Sequence, residues 1–357
     1  MNTELIKRNL DHMETPSYFY DMELLHKTLS TINEIKKSTG FHVHYALKAN
    51  SNDRILRTIS NYGFGADCVS GNEILKALET GFPREGIAFA GVGKTDWEID
   101  LGLDHDIGFF NCESITEIEV INERASMKNK KARIALRINP EINAKTHHYI
   151  TTGIEENKFG INREDLPRVV ETCKNLHHIQ LKGIHVHIGS QITDMDVFKS
   201  LCLRMNEIQD FFRREHIQLT DINAGGGLGL NYEHPENQTV PDFETYFNIF
   251  REFLNIQPEQ QLHFELGRSV TGQCGVLLTK VLYVKEGVNT KFAVVDAGMT
   301  ELIRPALYQA YHKITALTSH KATQKYDVVG PICESSDYFG KAVELPELQR
   351  GDILEMN

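Results

Sequence analysis

The sequence predicts an α/β protein: a (β/α)8 barrel followed by a mostly antiparallel β domain. Three observations carry that expectation. From residue 41 a unit recurs about eight times, a short β-rich run, a polar turn, then an amphipathic helical stretch, which is the pattern of a parallel sheet and most simply of a closed barrel. After residue 270 the helical stretches thin out while strand-like runs continue, as in an antiparallel domain. The chain has 357 residues, 41% of them apolar, enough for a barrel of roughly 250 residues and a smaller partner. The expected boundaries are 15–268 for the barrel and 269–357 for the β domain, with residues 1–14 a candidate return to the latter. A doubly wound open sheet is the main competitor.

The elements follow in order. PSYFYD (16–21) precedes the first barrel unit. Strand runs then stand at HVHYAL (42–47), GFGAD (63–67), GIAFA (86–90), IGFFN (107–111), ARIALRI (132–138), KGIHVHI (182–188), TDINA (220–224) and LHFEL (262–266). Helical spacing of apolar residues marks the intervening stretches. In 70–81 it is carried by Ile74, Leu75 and Leu78, and in 197–215 by Leu201, Met205, Ile208 and Phe212. The β domain is read from runs at 276–287, 291–298, 311–317, 325–330 and 341–345. No internal repeat or low-complexity tract interrupts this order.

Charge narrows the function classes. With 49 acidic against 38 basic residues, a net charge of −11 and no long basic run, neither nucleic acid nor an anionic membrane is expected as a partner. No apolar stretch approaches 18 residues, and the N-terminus MNTELIKRNLDHME has no signal-peptide core. Six scattered cysteines form no CxxC pair, as expected of reduced thiols in the cytoplasm.

Three motifs invite other readings. GVGKT (91–95) resembles the end of a phosphate loop, but the required first glycine falls on Ala88. GGGLGL (225–230) lacks a dinucleotide fingerprint because Leu230 takes the third glycine position; consecutive glycines after a strand still let backbone N–H groups approach a phosphate. HVH occurs at His42/His44 and at His185/His187, and alternate strand residues share a face, so metal hydrolysis is a minor alternative. His147 and His148 are adjacent and would diverge on a strand. Metal is not expected.

Barrel chemistry belongs at the C-terminal ends of the strands. There stand Lys48, Asp67, Arg137, His187, the turn Gly225, Gly226 and Gly227, and Glu265 with Arg268. Singly, each reads as readily as a solvated rim or a turn. Together they supply an amine for a Schiff base, donors for a phosphate, a flat imidazole and a carboxylate, the set that pyridoxal phosphate requires.

YALKAN (45–50), HVHIGSQ (185–191), GGGLG (225–229), ELGR (265–268) and GPICESSDYFG (330–340) resemble the motif series of the alanine-racemase-like, pyridoxal phosphate-dependent decarboxylases, from PSYFYD to RGD (350–352). TGIEENKFGI (152–161) and MTELIRPALYQAYH (299–312) are similar to the branch acting on meso-2,6-diaminopimelate. The resemblance implies a barrel plus a β domain, and decarboxylation to L-lysine and CO2. It implies that Lys48 holds the cofactor, His187 stacks on its ring, Glu265 pairs with the ring nitrogen, and Gly225, Gly226, Gly227 and Arg268 bind the phosphate. Asp67 and Arg137 match positions near the cofactor. Arg268, Arg304, Tyr308 and Glu334 would hold substrate. Cys333 would donate a proton across a homodimer with shared active sites.

Two departures accompany the resemblance. Leu266 replaces the proline of the family's Glu-Pro-Gly-Arg segment. Relatives also run about one strand past RGDILEMN, with a tyrosine contacting cofactor and substrate, and no counterpart stands in this sequence; a chain ending here is expected to fall short of full activity. Alternatives on the same scaffold are decarboxylation of ornithine, arginine or carboxynorspermidine, or a non-catalytic relative that carries the cofactor. Plain diamine precursors lack the distal carboxylate that Arg304 suits. Racemases of the fold pair the ring nitrogen with arginine, against Glu265 here.

Overall fold

The structure, a computed structural model, describes residues 3–142 and 158–357. His147, His148 and most of the 152–161 motif lie outside the described residues. The chain divides into two units: His26–Gly229 with Pro241–Thr271, and Met1–Leu25 with Leu230–Val240 and Gly272–Asn357.

The first strand, β1 (Ser17–Tyr20), belongs to the second of these units. The other unit is built on β2 (His42–Ala46), β3 (Gly65–Cys68), β4 (Ile87–Phe89), β5 (Phe109–Cys112), β6 (Ala132–Arg137), β7 (Ile179–His185), β8 (Asp221–Asn223) and β9 (Gln261–Leu266). Each pairs in parallel with the next, and β2 pairs with β9, so the described strands close into a barrel. That closure excludes the open doubly wound sheet. The β7 strand sits three residues earlier than the run read from sequence. Its partners end at Arg137 and Asn223, both level with His185, so no ladder remains for the residues beyond.

Alternation along the strands sorts side chains between two environments. On β9, Phe264 faces outward and meets Phe247 edge-on at 4.8 Å and Phe250 at 4.9 Å, both on the helix Phe243–Phe253. Such edge-to-face pairs add to the area they bury. The alternate residues His263 and Glu265 make polar contacts instead. His44 Nδ1 donates to the Gly86 carbonyl at 2.9 Å, and its Nε2 lies 3.0 Å from His263 Nδ1. His263 Nε2 in turn lies 3.0 Å from an Asp221 carboxylate oxygen. The first HVH pair therefore spends its buried member on hydrogen bonding rather than on a metal.

Burial, reinforced by His263, pushes His44 down to about 3. A histidine depressed in the fold stays neutral while the unfolded chain takes up a proton, so stability is lost as pH falls from about 6.5 towards 3. In that window His44 should remove about 1.4 kcal/mol per pH unit. Thermal unfolding of wild type and His44→Leu across this range checks it: the variant should be less stable near neutrality but show a shallower slope.

The second unit continues with β10 (Gly275–Glu286), β11 (Lys291–Val295), β12 (Ile314–Ala316), β13 (Thr323–Val329), β14 (Tyr338–Pro346) and β15 (Ile353–Met356). They form a sheet in the order β12-β15-β10-β11-β13-β14, with β1 also on β10. All pairings are antiparallel except β11 with β13. Its core gathers Leu277, Val281, Val295, Tyr326, Val328, Phe339 and Leu354. Ile6 of the helix Thr3–Asn9 packs into a second cluster with Val276, Leu278, Leu317 and Ile353. The β15 strand, an interior member of the sheet, went unread in the sequence. Its four residues are all buried, Glu355 included, so no polar alternation marks it.

Candidate active site

Lys48 leaves the barrel wall on the turn Leu47–Ala49 that follows β2. Its side chain is about half exposed, at 54%, and its Nζ lies 3.5 Å from Asp67 Oδ2 at the end of β3. Asp67 itself is buried, and its Oδ1 has no hydrogen-bond partner among the described residues. Burial and the charge of Glu265 push the Asp67 carboxyl up to about 6, against the pull of Lys48. Asp67 in turn raises the lysine above its ordinary value, opposed by burial and helped by Glu265.

Glu265 projects from β9 into a ring of donors. Its Oε1 accepts from Asn223 at 2.7 Å and from Asn111 at 3.1 Å, and its Oε2 accepts from His185 Nε2 at 2.9 Å. Burial alone would raise its pKa. The charge and hydrogen bond of His185, with His187 and Lys48, outweigh burial and hold the carboxyl well below the usual range. One lone pair of Oε2 remains after these three bonds.

The glycine turn closes over the ends of two strands. A Cβ on Gly226 would stand 1.9 Å from the Glu265 carbonyl oxygen, and one on Gly225, at φ +66°, 2.3 Å from that of Val186. No side chain fits either place. Gly225 N–H donates to Asn223 Oδ1 at 2.9 Å, and Gly226 N–H to His187 Nδ1 at 3.3 Å. His187 is driven well below its ordinary value by burial and by the charges of Arg137 and Lys48. Arg268 reaches Ser190 Oγ at 3.3 Å. Arg137 pairs with buried Glu113 at 2.7 Å, whose other oxygen accepts the Gly160 N–H at 2.7 Å.

Lys94 of the GVGKT run is buried and fully engaged. It donates to Glu117 at 2.5 Å and to the carbonyls of Asn111 and Gly91 at 2.8 and 2.9 Å, so it buttresses the strand that carries Asn111.

Arg304, Tyr308, Cys333 and Glu334 belong to the other unit. Arg304 opens the helix Arg304–Tyr308. Its guanidinium bonds His312 Nε2 at 2.8 Å and lies 4.6 Å over the ring of Tyr232. Cys333 and Glu334 are exposed on the turn after β13. Asp337 joins this turn to the segment ahead of the helix, accepting Ile332 N–H at 2.7 Å and Met299 N–H at 2.6 Å.

The barrel residues fit pyridoxal phosphate. They offer an amine for its aldehyde, an ionised carboxylate with a lone pair left for its ring nitrogen, an imidazole for the ring face, and a turn without side chains for close backbone approach. Fold and donor set together define a barrel enzyme of the pyridoxal phosphate class. The sequence matches the family described as pyridoxal-dependent decarboxylase, pyridoxal binding domain, over residues 25–272. It is 55% identical over 345 residues to a diaminopimelate decarboxylase of Bacteroides thetaiotaomicron, covering 96% of this chain and 89% of that one. Identity to the Helicobacter pylori enzyme of the same name is 39% over 343 residues, covering 96% and 84%. The crystal structure of diaminopimelate decarboxylase from Helicobacter pylori complexed with L-lysine superposes with a TM-score of 0.89 at 36% identity, covering 99% of this chain and 88% of that one. The chain belongs to the pyridoxal-dependent decarboxylase family.

Sequence reading missed Asn111, Asn223 and Glu113, and weighed His185 only as a metal ligand. Position offered one signal. Asn223 and Asn111 end or nearly end their strands and His185 ends β7, so the rule that selected Lys48 applies to all three.

Proposed function

We propose that this chain decarboxylates meso-2,6-diaminopimelate to L-lysine and CO2. The observation that carries the reading is the buried, ionised Glu265 with one lone pair unspent, at the same end of the barrel as Lys48 and Asp67. The names of the relatives point to the substrate. Bound pyridoxal phosphate supplies an electron sink for the pair released when a Cα–carboxylate bond breaks. Lys48 would hold the cofactor through its amine. Glu265 would favour a proton on the ring nitrogen by charge pairing, and His187 would offer its imidazole to the ring face. The glycine turn and Arg268 would hold the phosphate, with Asp67 and Arg137 setting the charge around Lys48. Cys333 delivers the proton to Cα.

Substrate choice rests on Arg304 and Glu334, which suit a distal carboxylate and ammonium, with Tyr308 and Arg268 as further substrate-binding residues. His312 and Tyr232 hold the Arg304 guanidinium in one orientation. Arg304→Ala should raise KM for diaminopimelate about 100-fold or more, the cost of leaving a charged partner unpaired, with a smaller change in kcat. Steady-state kinetics decide, and an unchanged KM removes Arg304 from the site.

We further propose a cytoplasmic homodimer with shared active sites. Ile303, Leu307, Tyr311 and Ile332 stay exposed on the substrate segments, apolar surface suited to a partner. Among the described residues no helix is long and apolar enough to cross a membrane. The function is tested by CO2 release and L-lysine formation from meso-diaminopimelate with added pyridoxal phosphate. Lysine should appear in proportion to CO2, and turnover of ornithine or arginine instead would reassign the substrate.

A further inference from the structure

We infer that His185 is a positioning residue for the decarboxylation, the donor that with Asn223 and Asn111 keeps Glu265 ionised and aimed with one free lone pair. The inference rests on the reading above in which Glu265 faces the cofactor ring nitrogen.

Three strands deliver the donors. Asn111 comes from β5, His185 from β7 and Asn223 from β8, each buried, and all converge on the carboxylate of β9. The Asn223 amide is oriented by its other contact. Its Oδ1 accepts the Gly225 N–H, which leaves Nδ2 to face Glu265. Oε1 thus receives two N–H groups and is saturated, while Oε2 receives one. The Oε2 bond decides how the free lone pair points, and only His185 makes it among the described residues.

Among the described residues the His185 ring has no other hydrogen-bond partner. It is 1% exposed, its Nε2 bonds Glu265, and its Nδ1 has no hydrogen-bond partner among the described residues. A polar ring buried for a single hydrogen bond costs more than an apolar one of the same shape. That cost is offset if the bond sets the protonation of the carboxylate it touches. The neighbourhood confirms the need. Glu265 is buried near a second buried carboxylate, Asp67, which is itself raised partly by the charge of Glu265. Of two such carboxyls the one with donors stays ionised. Among the described residues Asp67 has Lys48 alone, at 3.5 Å, whereas Glu265 has three N–H groups.

Two substitutions separate the hydrogen bond from the bulk of the ring. His185→Gln places an amide N–H near the position of Nε2. His185→Asn places its amide near Nδ1 and offers nothing at Nε2. In the holoenzyme at neutral pH, kcat should fall about tenfold in His185→Asn and no more than about threefold in His185→Gln, which returns the N–H to Glu265 without the charge. Titration of the stripped full chain with pyridoxal phosphate, followed by absorbance, should show about tenfold weaker binding for His185→Asn and binding within about threefold of wild type for His185→Gln. Should His185→Asn fail to fold, His185→Phe replaces it with the same expectation. A kcat and an affinity unmoved in His185→Asn, or lowered equally in His185→Gln, overturn the inference. Wild-type protein that bound no pyridoxal phosphate would instead bring down the site itself, which is a separate outcome of the same titration.

Discussion

Replacing Lys48 by alanine is expected to lower kcat by about four orders of magnitude while leaving the fold intact. We propose two roles for the lysine, anchoring nucleophile and proton carrier, each worth about 100-fold or more. No neighbouring side chain can substitute, because Asp67 and Glu265 are carboxylates and His187 has its Nδ1 engaged by Gly226 N–H. The stability change should be small, less than about 1 kcal/mol, since the side chain is more than half exposed and its contact to Asp67 is a long 3.5 Å. Borohydride reduction followed by peptide mass spectrometry should find the cofactor on Lys48 in wild type and nowhere in the variant. Attachment at another lysine, with activity retained, would reassign the nucleophile.

The second large effect is expected at Glu265. A glutamine there keeps shape but loses charge, and the ring nitrogen loses the partner that favours its proton. Removing one group that stabilises developing charge in a closed site costs about 100- to 1,000-fold in kcat. The structure adds a stability effect. Asn111, Asn223 and His185 all donate to Glu265, and a glutamine NH2 would turn a donor towards at least one of them. A buried donor left unpaired costs about 1–3 kcal/mol, so the melting temperature should fall together with kcat. Glu265→Asp separates the two effects: it should recover charge and part of kcat while leaving a packing defect. Full activity in Glu265→Gln would mean that the carboxylate does not govern the ring nitrogen.

Much of the architecture was legible in residue order. The alternation in LHFEL assigns Leu262, Phe264 and Leu266 to one side of the strand and His263 and Glu265 to the other, and that is where they lie. The repeat of strand and helix announced the barrel because each unit must bury one apolar face, and the period of that face is written locally. Position at a strand end marked Lys48, Asp67 and Glu265 for the same reason. The β15 strand was not legible, since its four residues ILEM are all buried and too few to show a period.

The two motifs that invited other readings, and were set aside in the sequence, carry local form without spatial context. GVGKT has the texture of a phosphate loop, yet its lysine is buried against Glu117 and two carbonyls. HVH has the spacing of a metal pair. In the fold His44 instead joins Gly86 and His263, and His185 joins Glu265.

What residue order determined by itself is the fold class, the rim on which chemistry sits, and the residue types available there, because hydrophobic period and strand ends are properties of a few consecutive positions. What the tertiary structure alone decided is the protonation and aim of those residues. Glu265 is held by hydrogen-bond donors 154, 80 and 42 positions away along the chain. These meet only when β2 closes on β9 and brings every strand to one axis, and buried carboxyl chemistry depends on which dipoles arrive within 3 Å or so. Such contacts leave no mark on neighbouring residues, so they are decided by closure of the barrel and not by any local run of sequence.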